Sequence, residues 1–255
     1  MIKKRPILWF SFFILFLLSK NFAQDTKTLL KDAQQLEIVF KDNDALQKYL
    51  QILKSEPNHL VALCKSSELY SKLGKRQTTK QKQSEFYVSA KQYAEKALKV
   101  NESSAEANFV MAMAMGRMAM QNSGKEKIKA VKDIKHYAER CIQLEPGNFK
   151  GYHVLAKWHY EVSDLSSLER WLVKITYGAL PPSSLDDAIR NYEKSKQLNP
   201  GFILNYLELA KAYHRNDEDK KAIVHLQAML KLPNTQADDN SIKDEGRKLL
   251  KELTD

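Results

Sequence analysis

The feature that most constrains the fold is a helix-ending phrase that recurs five times along the chain. Each copy is a last apolar helical turn followed by a proline or, once, by the polar pair Asn101-Glu102. The copies read ILKSEPN at 52–58, ALKVNES at 97–103, CIQLEPGN at 141–148, SKQLNPG at 195–201 and MLKLPN at 229–234. Their separations are 45, 44, 54 and 33 residues, counted from Pro57, Glu102, Pro146, Pro200 and Pro233. Self-similarity at periods of this size indicates a helical solenoid.

Composition supports an all-α class. The 255 residues include only 8 glycines and 7 prolines, whereas an all-β sandwich or barrel needs a turn signal roughly every 8–12 residues. Two cysteines are too few for a disulfide scaffold. The hydrophobic share of 43% is enough for a sizeable core.

Small residues at a fixed spacing define the repeat. Ala210 and Ala222 are twelve residues apart, as are Ala33 and Ala45, and each pair lets two antiparallel helices approach closely. The 33-residue interval matches a tetratricopeptide repeat. Repeats two and three, which open near Leu60 and Ala105, carry about ten extra residues each. One domain is expected, over residues 24–255.

The fourth repeat contains an insertion at 163–182. Its apolar residues are spaced as one face of an extra helix: Leu165, Leu168, Trp171, Leu172 and Ile175. Gly178 and Pro181-Pro182 end that helix, and Ser183 or Ser184 caps the next one. The segment 239–253 is apolar on one side and otherwise charged, which predicts a C-terminal capping helix.

Two stretches of the fourth repeat resemble a known family. They are Trp158-His159-Tyr160-Glu161-Val162 and Tyr177-Gly178-Ala179-Leu180-Pro181-Pro182-Ser183-Ser184. Both are similar to the regulator of microtubule dynamics protein family, and a weaker likeness extends from about residue 28 to the C-terminus. The resemblance implies a tetratricopeptide-like, adaptor-like helical domain. Animal members of that family are associated with microtubules or with organelle membranes.

The amino-terminal residues have the pattern of a secretory signal peptide. Lys3, Lys4 and Arg5 precede an apolar run at 7–18, and Phe22-Ala23-Gln24 follows. Cleavage after Ala23 would remove residues 1–23 and lower the formal net charge from +10 to +6. The sequence therefore predicts an extracytoplasmic protein, periplasmic or secreted. The alternative is membrane anchoring by an uncleaved segment.

No motif for enzymatic chemistry stands out. The six histidines lack metal-ligand spacing, and we find no phosphate loop, nucleophile elbow or paired-carboxylate motif. We therefore expect no catalytic residues, no metal and no cofactor. No dense basic stripe with aromatic residues points to nucleic acid. Cys64 and Cys141 are expected to be buried free thiols rather than a disulfide.

A binding surface is expected where the first helices of the repeats line the concave side. Aligning the small residues places Cys64 and Glu68 there in the second repeat. The candidate groove residues of the later repeats are Phe109, Met113, His153, Lys157, Tyr160, Leu207, Lys211 and His214. Lys157 and Lys211, with two histidines that gain charge at acid pH, would favour an acidic peptide, a carboxylate or a lipid phosphate.

Two functions remain open. The first is a non-enzymatic adaptor that binds a protein or peptide in the groove. The second is a carrier of a phospholipid or another anionic amphipathic molecule, which a closed apolar pocket beside Lys157 and Lys211 would favour.

A run of methionines at 111–120 is typical of core packing, although methionine is also common on adaptable binding surfaces.

Overall fold

The computed structural model describes residues 25–255, which form twelve α-helices and no strand. The predicted signal peptide, residues 1–23, lies outside the described residues. No helix in 25–255 is long and apolar enough to cross a membrane. The helices are α1 (25–38), α2 (Asp42–Ser55), α3 (Leu60–Lys75), α4 (Lys80–Val100), α5 (Ala105–Gln121), α6 (Gly124–Leu144), α7 (Phe149–Ser163), α8 (Ser167–Tyr177), α9 (Leu185–Leu198), α10 (Ile203–Arg215), α11 (Asp219–Lys231) and α12 (Asp239–Thr254).

The helices pack as five antiparallel pairs in a solenoid. The pairs are α1–α2, which share one hydrophobic cluster, α3–α4, α5–α6, α7–α9 and α10–α11, and α12 packs on the last of them. The predicted small residues Ala33, Ala45, Ala210 and Ala222 lie where paired helices meet and are fully buried, as are Ala156 and Ala188 of the fourth pair. The all-α, tetratricopeptide-like solenoid predicted from the repeat spacing is therefore confirmed.

The extra residues of the second and third repeats lengthen helices instead of forming loops. Both α4 and α6 contain 21 residues, whereas the second helices α2, α9 and α11 contain 13 or 14. Polar side chains fix several helix starts by accepting backbone N–H bonds, as Thr79 does for α4, Ser104 for α5 and Asn148 for α7. Each such cap satisfies a donor that would otherwise lack a partner.

The predicted extra helix is α8, and both of its ends are fixed. Ser166 and Glu169 form a reciprocal capping box at its start. Gly178 ends it with φ 79°, a conformation that only glycine adopts without strain. The Arg170 guanidinium binds the carbonyl oxygens of Val162 and Leu165 and the hydroxyl of Ser183. Ser184 then caps α9, as the sequence predicts.

The apolar face of α8 does not join the core. None of its residues is buried. The large side chains of that face are between 46% and 64% exposed: Leu168, Trp171, Leu172 and Ile175. Periodicity identified a helix with one apolar side, but it does not show whether another element covers that side.

The predicted capping helix is α12, which closes the C-terminal end of the solenoid. Ile242 is buried in the last hydrophobic cluster. Gly246 lies so close to α11 that a Cβ atom there would be 2.1 Å from Met229 Cε. The carboxylate of Asp239 accepts the backbone N–H groups of Thr235 and Gln236 and so holds the loop before the helix.

Replacing Ala210 by leucine is expected to destabilise the α10–α11 pair. Ala210 is fully buried, and extra methylene groups in a filled core cost about 1–3 kcal/mol of unfolding free energy. Gln227→Leu, which adds the same side chain at an exposed position of α11, is the control. Urea denaturation measures both variants, and equal stabilities would contradict the helix pairing described here.

Candidate functional site

The first helices are joined by charged side chains that reach from one helix to the next. We call this set of contacts the inner charge ladder. It consists of Lys65–Glu37 at 2.9 Å, Lys150–Glu68 at 3.6 Å, Lys150–Glu106 at 2.8 Å, Lys157–Glu208 at 2.6 Å and Lys211–Glu245 at 2.7 Å. The ladder connects α1, α3, α5, α7, α10 and α12, so it runs along the surface where the sequence predicts a groove.

Glu68 is the centre of the amino-terminal half of the ladder. Its carboxylate is buried; Oε1 lies 2.7 Å from Lys72 Nζ, and Oε2 lies 3.6 Å from Lys150 Nζ. Burial alone raises the pKa of Glu68, but the amino groups of Lys72, Lys150 and Lys65 outweigh it. The pKa therefore falls well below its usual range, and the carboxylate stays ionised.

Lys150 covers part of the expected groove. Its amino group extends from α7 past α5 to Glu68, and it lies 4.8 Å from the centre of the Phe109 ring. Phe109 is buried, and Met113 is half-buried against the same hydrophobic cluster. Leu207, on α10, is also buried. These three predicted groove residues mainly pack the solenoid.

Glu208 is the centre of the carboxyl-terminal half. This buried carboxylate accepts hydrogen bonds from Lys157 at 2.6 Å and from Lys211 at 3.1 Å. Burial raises the pKa of Glu208, but the two lysines outweigh this effect and the pKa is lowered. The structure thus brings Lys157 and Lys211 together around one acidic group.

The same half carries more acidic groups than the sequence analysis considered. Lys157 also lies 2.9 Å from Glu161, and Lys211 contacts Glu245 of α12. The two lysines thus face three carboxylates, which more than offset their positive charge. The pairs Lys157–Glu161 and Glu208–Lys211 could be predicted from their i,i+4 and i,i+3 spacing. The contact between Lys157 and Glu208 could not, because it depends on how α7 packs against α10.

Two cations lie close to the Tyr160 ring on the accessible part of this surface. The Arg215 guanidinium is 3.9 Å from the centre of its ring, and the Lys157 amino group is 5.2 Å away. Arg215 is also held by Asp164 at 3.2 Å. Tyr160 therefore contributes a half-buried aromatic ring to a surface of mixed charge.

The two predicted groove histidines have different surroundings. His153 packs against Phe202, and its Nδ1 lies 2.9 Å from Asn205 Oδ1. Burial lowers the pKa of His153, so the neutral ring is favoured and it does not supply the charge at mildly acid pH that the sequence suggests. His214 is exposed on α10, with Nδ1 2.6 Å from Asp219 Oδ1.

Cysteine and methionine positions agree with packing roles. Cys64 and Cys141 are free and buried, as predicted, and burial raises the pKa of each thiol to about 12. Met111 and Met115 are buried in the core and border a cleft of about 250 Å³ between α4, α5 and α6. In the part of the chain that the structure describes, no group of three His, Cys, Asp or Glu side chains is arranged to hold a metal ion.

Curated relatives of the chain are animal proteins. It is 28% identical over 179 residues to regulator of microtubule dynamics protein 1 of Bos taurus, covering 69% of this chain and 56% of that protein. It is 29% identical over 160 residues to regulator of microtubule dynamics protein 3 of Xenopus laevis, covering 62% and 35%. For the protein 3 of Rattus norvegicus the identity is 23% over 223 residues, covering 86% and 47%. The chain thus spans about half the length of the curated relatives it matches.

These relatives correct the predicted location. Their names refer to microtubules, which are polymers of the cell interior. An extracytoplasmic protein, periplasmic or secreted, does not fit this group of relatives. The location expected from the amino-terminal pattern is therefore wrong.

Solved structures and a family description agree with the fold. A thermophilic tetratricopeptide protein of Thermus thermophilus superposes with a TM-score of 0.66 at 13% identity, covering 88% of this chain and 98% of that chain. A tetratricopeptide repeat protein from Parabacteroides merdae gives 0.60 at 17% identity, covering 90% and 71%. The family model "Regulator of microtubule dynamics protein 1-3" matches residues 29–254. With nearly all of the described solenoid inside that match, the chain belongs to the regulator of microtubule dynamics protein 1-3 family.

Proposed function

We propose that this solenoid is a non-enzymatic adaptor that binds an extended segment of a protein partner along the inner charge ladder. The observation that carries the proposal is the arrangement around Glu208. One buried carboxylate holds the amino groups of Lys157 and Lys211 in place, while both lysines keep part of their side chains accessible.

The held lysines keep hydrogen-bonding capacity for a partner. A lysine ammonium group has three N–H donors. Lys157 uses two of them on Glu208 and Glu161, and Lys211 uses two on Glu208 and Glu245. The third donor of each can bind a carbonyl oxygen of an extended peptide. Since the amino groups are already ordered, less side-chain entropy is lost on binding.

The same arrangement favours an adaptor over a lipid carrier. A carrier of an anionic amphipathic molecule needs an apolar pocket with unpaired positive charge at its edge. Lys157 and Lys211 are instead surrounded by Glu161, Glu208 and Glu245. A partner chain with polar backbone groups and charges of both signs fits this surface better than a phosphate headgroup does.

The family suggests which partner to test first. The relatives are named for microtubule dynamics, so polymerised tubulin is the first candidate, followed by proteins that bind it. The match covers about half the length of those relatives, so this domain need not contact tubulin itself. Binding to a second protein that attaches to microtubules would support the adaptor role equally well.

The test uses substitutions at the two lysines. A peptide is selected from a random library on the full chain, and its affinity is measured beside co-sedimentation with microtubules. Lys157→Met and Lys211→Met should each weaken binding about tenfold, since a hydrogen bond from a charged donor contributes roughly 1.5–3 kcal/mol. Lys194→Met, at an exposed position of α9, should leave binding unchanged, and circular dichroism checks that each variant is folded.

Two results would contradict the proposal. One is unchanged peptide binding by both folded lysine variants. The other is a phospholipid that remains bound to the purified protein in native mass spectrometry and is lost from both variants, because that outcome is expected of a carrier.

A further inference from the structure

The exposed apolar side of α8 has no role in the packing or in the surface proposed above. We define the α8 stripe as Leu168, Trp171, Leu172 and Ile175, which follow i, i+3, i+4, i+7 spacing and are all large, apolar or aromatic and exposed. These four side chains lie on one side of an eleven-residue helix that buries none of its residues. An exposed apolar patch of this kind marks an interaction site.

The α8 stripe is presented by a helix that is already ordered. The capping box fixes its start, Gly178 fixes its end, and the Arg170 guanidinium ties its first turn to the end of α7 and to Ser183. The helix therefore does not need to fold on contact, so its apolar side chains are not exposed merely because the segment is loose.

Positive charge borders the C-terminal half of the stripe. The Lys132 amino group donates to the carbonyl oxygen of Tyr177 at 3.3 Å, and a Cβ atom at Gly124 would lie 3.4 Å from the Tyr177 hydroxyl, so the first half of α6 lies beside the end of α8. Lys125 and Lys127 are exposed in the first turn of α6, and Lys174 is exposed on α8. None of these three lysines forms an ion pair with a residue in 25–255.

Acidic residues near the stripe are fewer than basic ones. Glu126 and Asp133 of α6 line the cleft toward α4 and α5, and Asp133 pairs with Lys129. Glu169 accepts the hydrogen bonds of the α8 capping box. These three carboxylates stand against six basic groups on α8 and residues 124–133, so the charge around the stripe is positive: Arg170, Lys174, Lys125, Lys127, Lys129 and Lys132.

We infer that the α8 stripe is a docking surface for an anionic membrane. A helix with tryptophan and leucine on one side and lysine beside it fits a membrane interface, where the apolar side enters the headgroup boundary and the lysines meet anionic lipids. A second copy of the chain fits less well, because two such surfaces would bring their lysines together. This docking is separate from the inner charge ladder and does not depend on the proposed adaptor role.

The test places a nitroxide label on α8 of the full chain through Ile175→Cys. The control label is placed through Val224→Cys, an exposed apolar position on α11. Both natural cysteines are buried with raised thiol pKa values, so labelling is directed to the new thiol. A local label is used because total vesicle binding would also report on other apolar segments.

With phosphatidylcholine vesicles that contain phosphatidylserine, we expect the label at position 175 to enter the bilayer interface and the label at 224 to stay in water. With phosphatidylcholine alone, insertion at 175 should be much weaker. The combined changes Lys125→Gln, Lys127→Gln and Lys174→Gln should lower the partitioning of the 175 label on the order of 100-fold, since each lysine near an anionic surface contributes about 1 kcal/mol.

Three outcomes would overturn the inference. The 175 label stays in water on anionic vesicles, or it enters neutral and anionic vesicles equally. Alternatively, the label is immobilised without vesicles in proportion to protein concentration, which would assign the stripe to a second copy of the chain.

Discussion

Replacing Glu68 by glutamine should lower the free energy of unfolding by about 3–5 kcal/mol at neutral pH, as is usual when one partner of a buried ion pair is removed. The carboxylate of Glu68 lies among the amino groups of Lys72, Lys150 and Lys65. Its loss leaves Lys72 without its ion-pair partner at 2.7 Å. Glu95→Gln is the control, since it removes an exposed i,i+4 pair with Lys91 that contributes at most about 1 kcal/mol.

The effect of this substitution should depend on pH in one direction. Because the folded protein lowers the pKa of Glu68, the stabilisation is complete above the ordinary glutamate pKa and is lost as pH falls toward the folded value. The stability difference between the wild type and Glu68→Gln should therefore shrink below about pH 4.5. Denaturant titrations at several pH values measure it, and a difference that stays constant into acid would show that Glu68 is not held ionised by its lysines.

Replacing Trp158 by alanine should destabilise the solenoid by about 3–5 kcal/mol, the usual range for removing a buried tryptophan. Trp158 is 3% exposed on α7, and its Nε1 donates to the carbonyl oxygen of Val131 on α6 at 2.7 Å. The Lys135 amino group lies 5.6 Å from the centre of its ring. Trp158 therefore connects the fourth helical pair, α7–α9, to the third pair, α5–α6.

Trp171 provides a matched control for this prediction. Trp171→Ala makes the same chemical change on α8, where the side chain is 55% exposed, and surface substitutions usually change stability by no more than about 0.5 kcal/mol. Thermal or denaturant unfolding should separate the two variants clearly. Equal destabilisation would contradict either the burial of Trp158 or the exposure of Trp171.

The fold was predictable because each helical pair repeats the same local constraints. Ala210 and Ala222 show the same spacing as Ala33 and Ala45, and close helix packing requires a small residue at each position. Gly178 adopts a positive φ without strain, and the Ser184 side chain accepts a backbone N–H bond. The end of α8 and the start of α9 could therefore be predicted from these two residue types.

The candidate site was predictable only in part, because its main contacts join distant residues. Lys157 was assigned to the surface, but its contact Glu208 is 51 residues away. Arg76 shows the same limit: it bridges Asp42 of α2 and Asp238 before α12, 162 residues along the chain. Such pairs follow from how the solenoid curves, which helical periodicity does not specify.

The exposure of the apolar side of α8 could not be predicted from the sequence either. Leu168, Trp171 and Ile175 follow the same periodicity as core residues. Only the packing of α7 directly on α9 shows that this helix stays outside the core. Apolar residues at helical spacing indicate a side that will be covered, but the partner that covers it need not be in the same chain.

Photo-crosslinking shows directly whether a partner segment binds along the first-helix surface. A benzophenone amino acid replaces His214, exposed on α10 three residues after Lys211, or Val224, similarly exposed on the other helix of the same pair. If the partner segment lies along this surface, the selected peptide crosslinks from position 214 and not from position 224. Crosslinking from 224 alone, or equally from both positions, would contradict it.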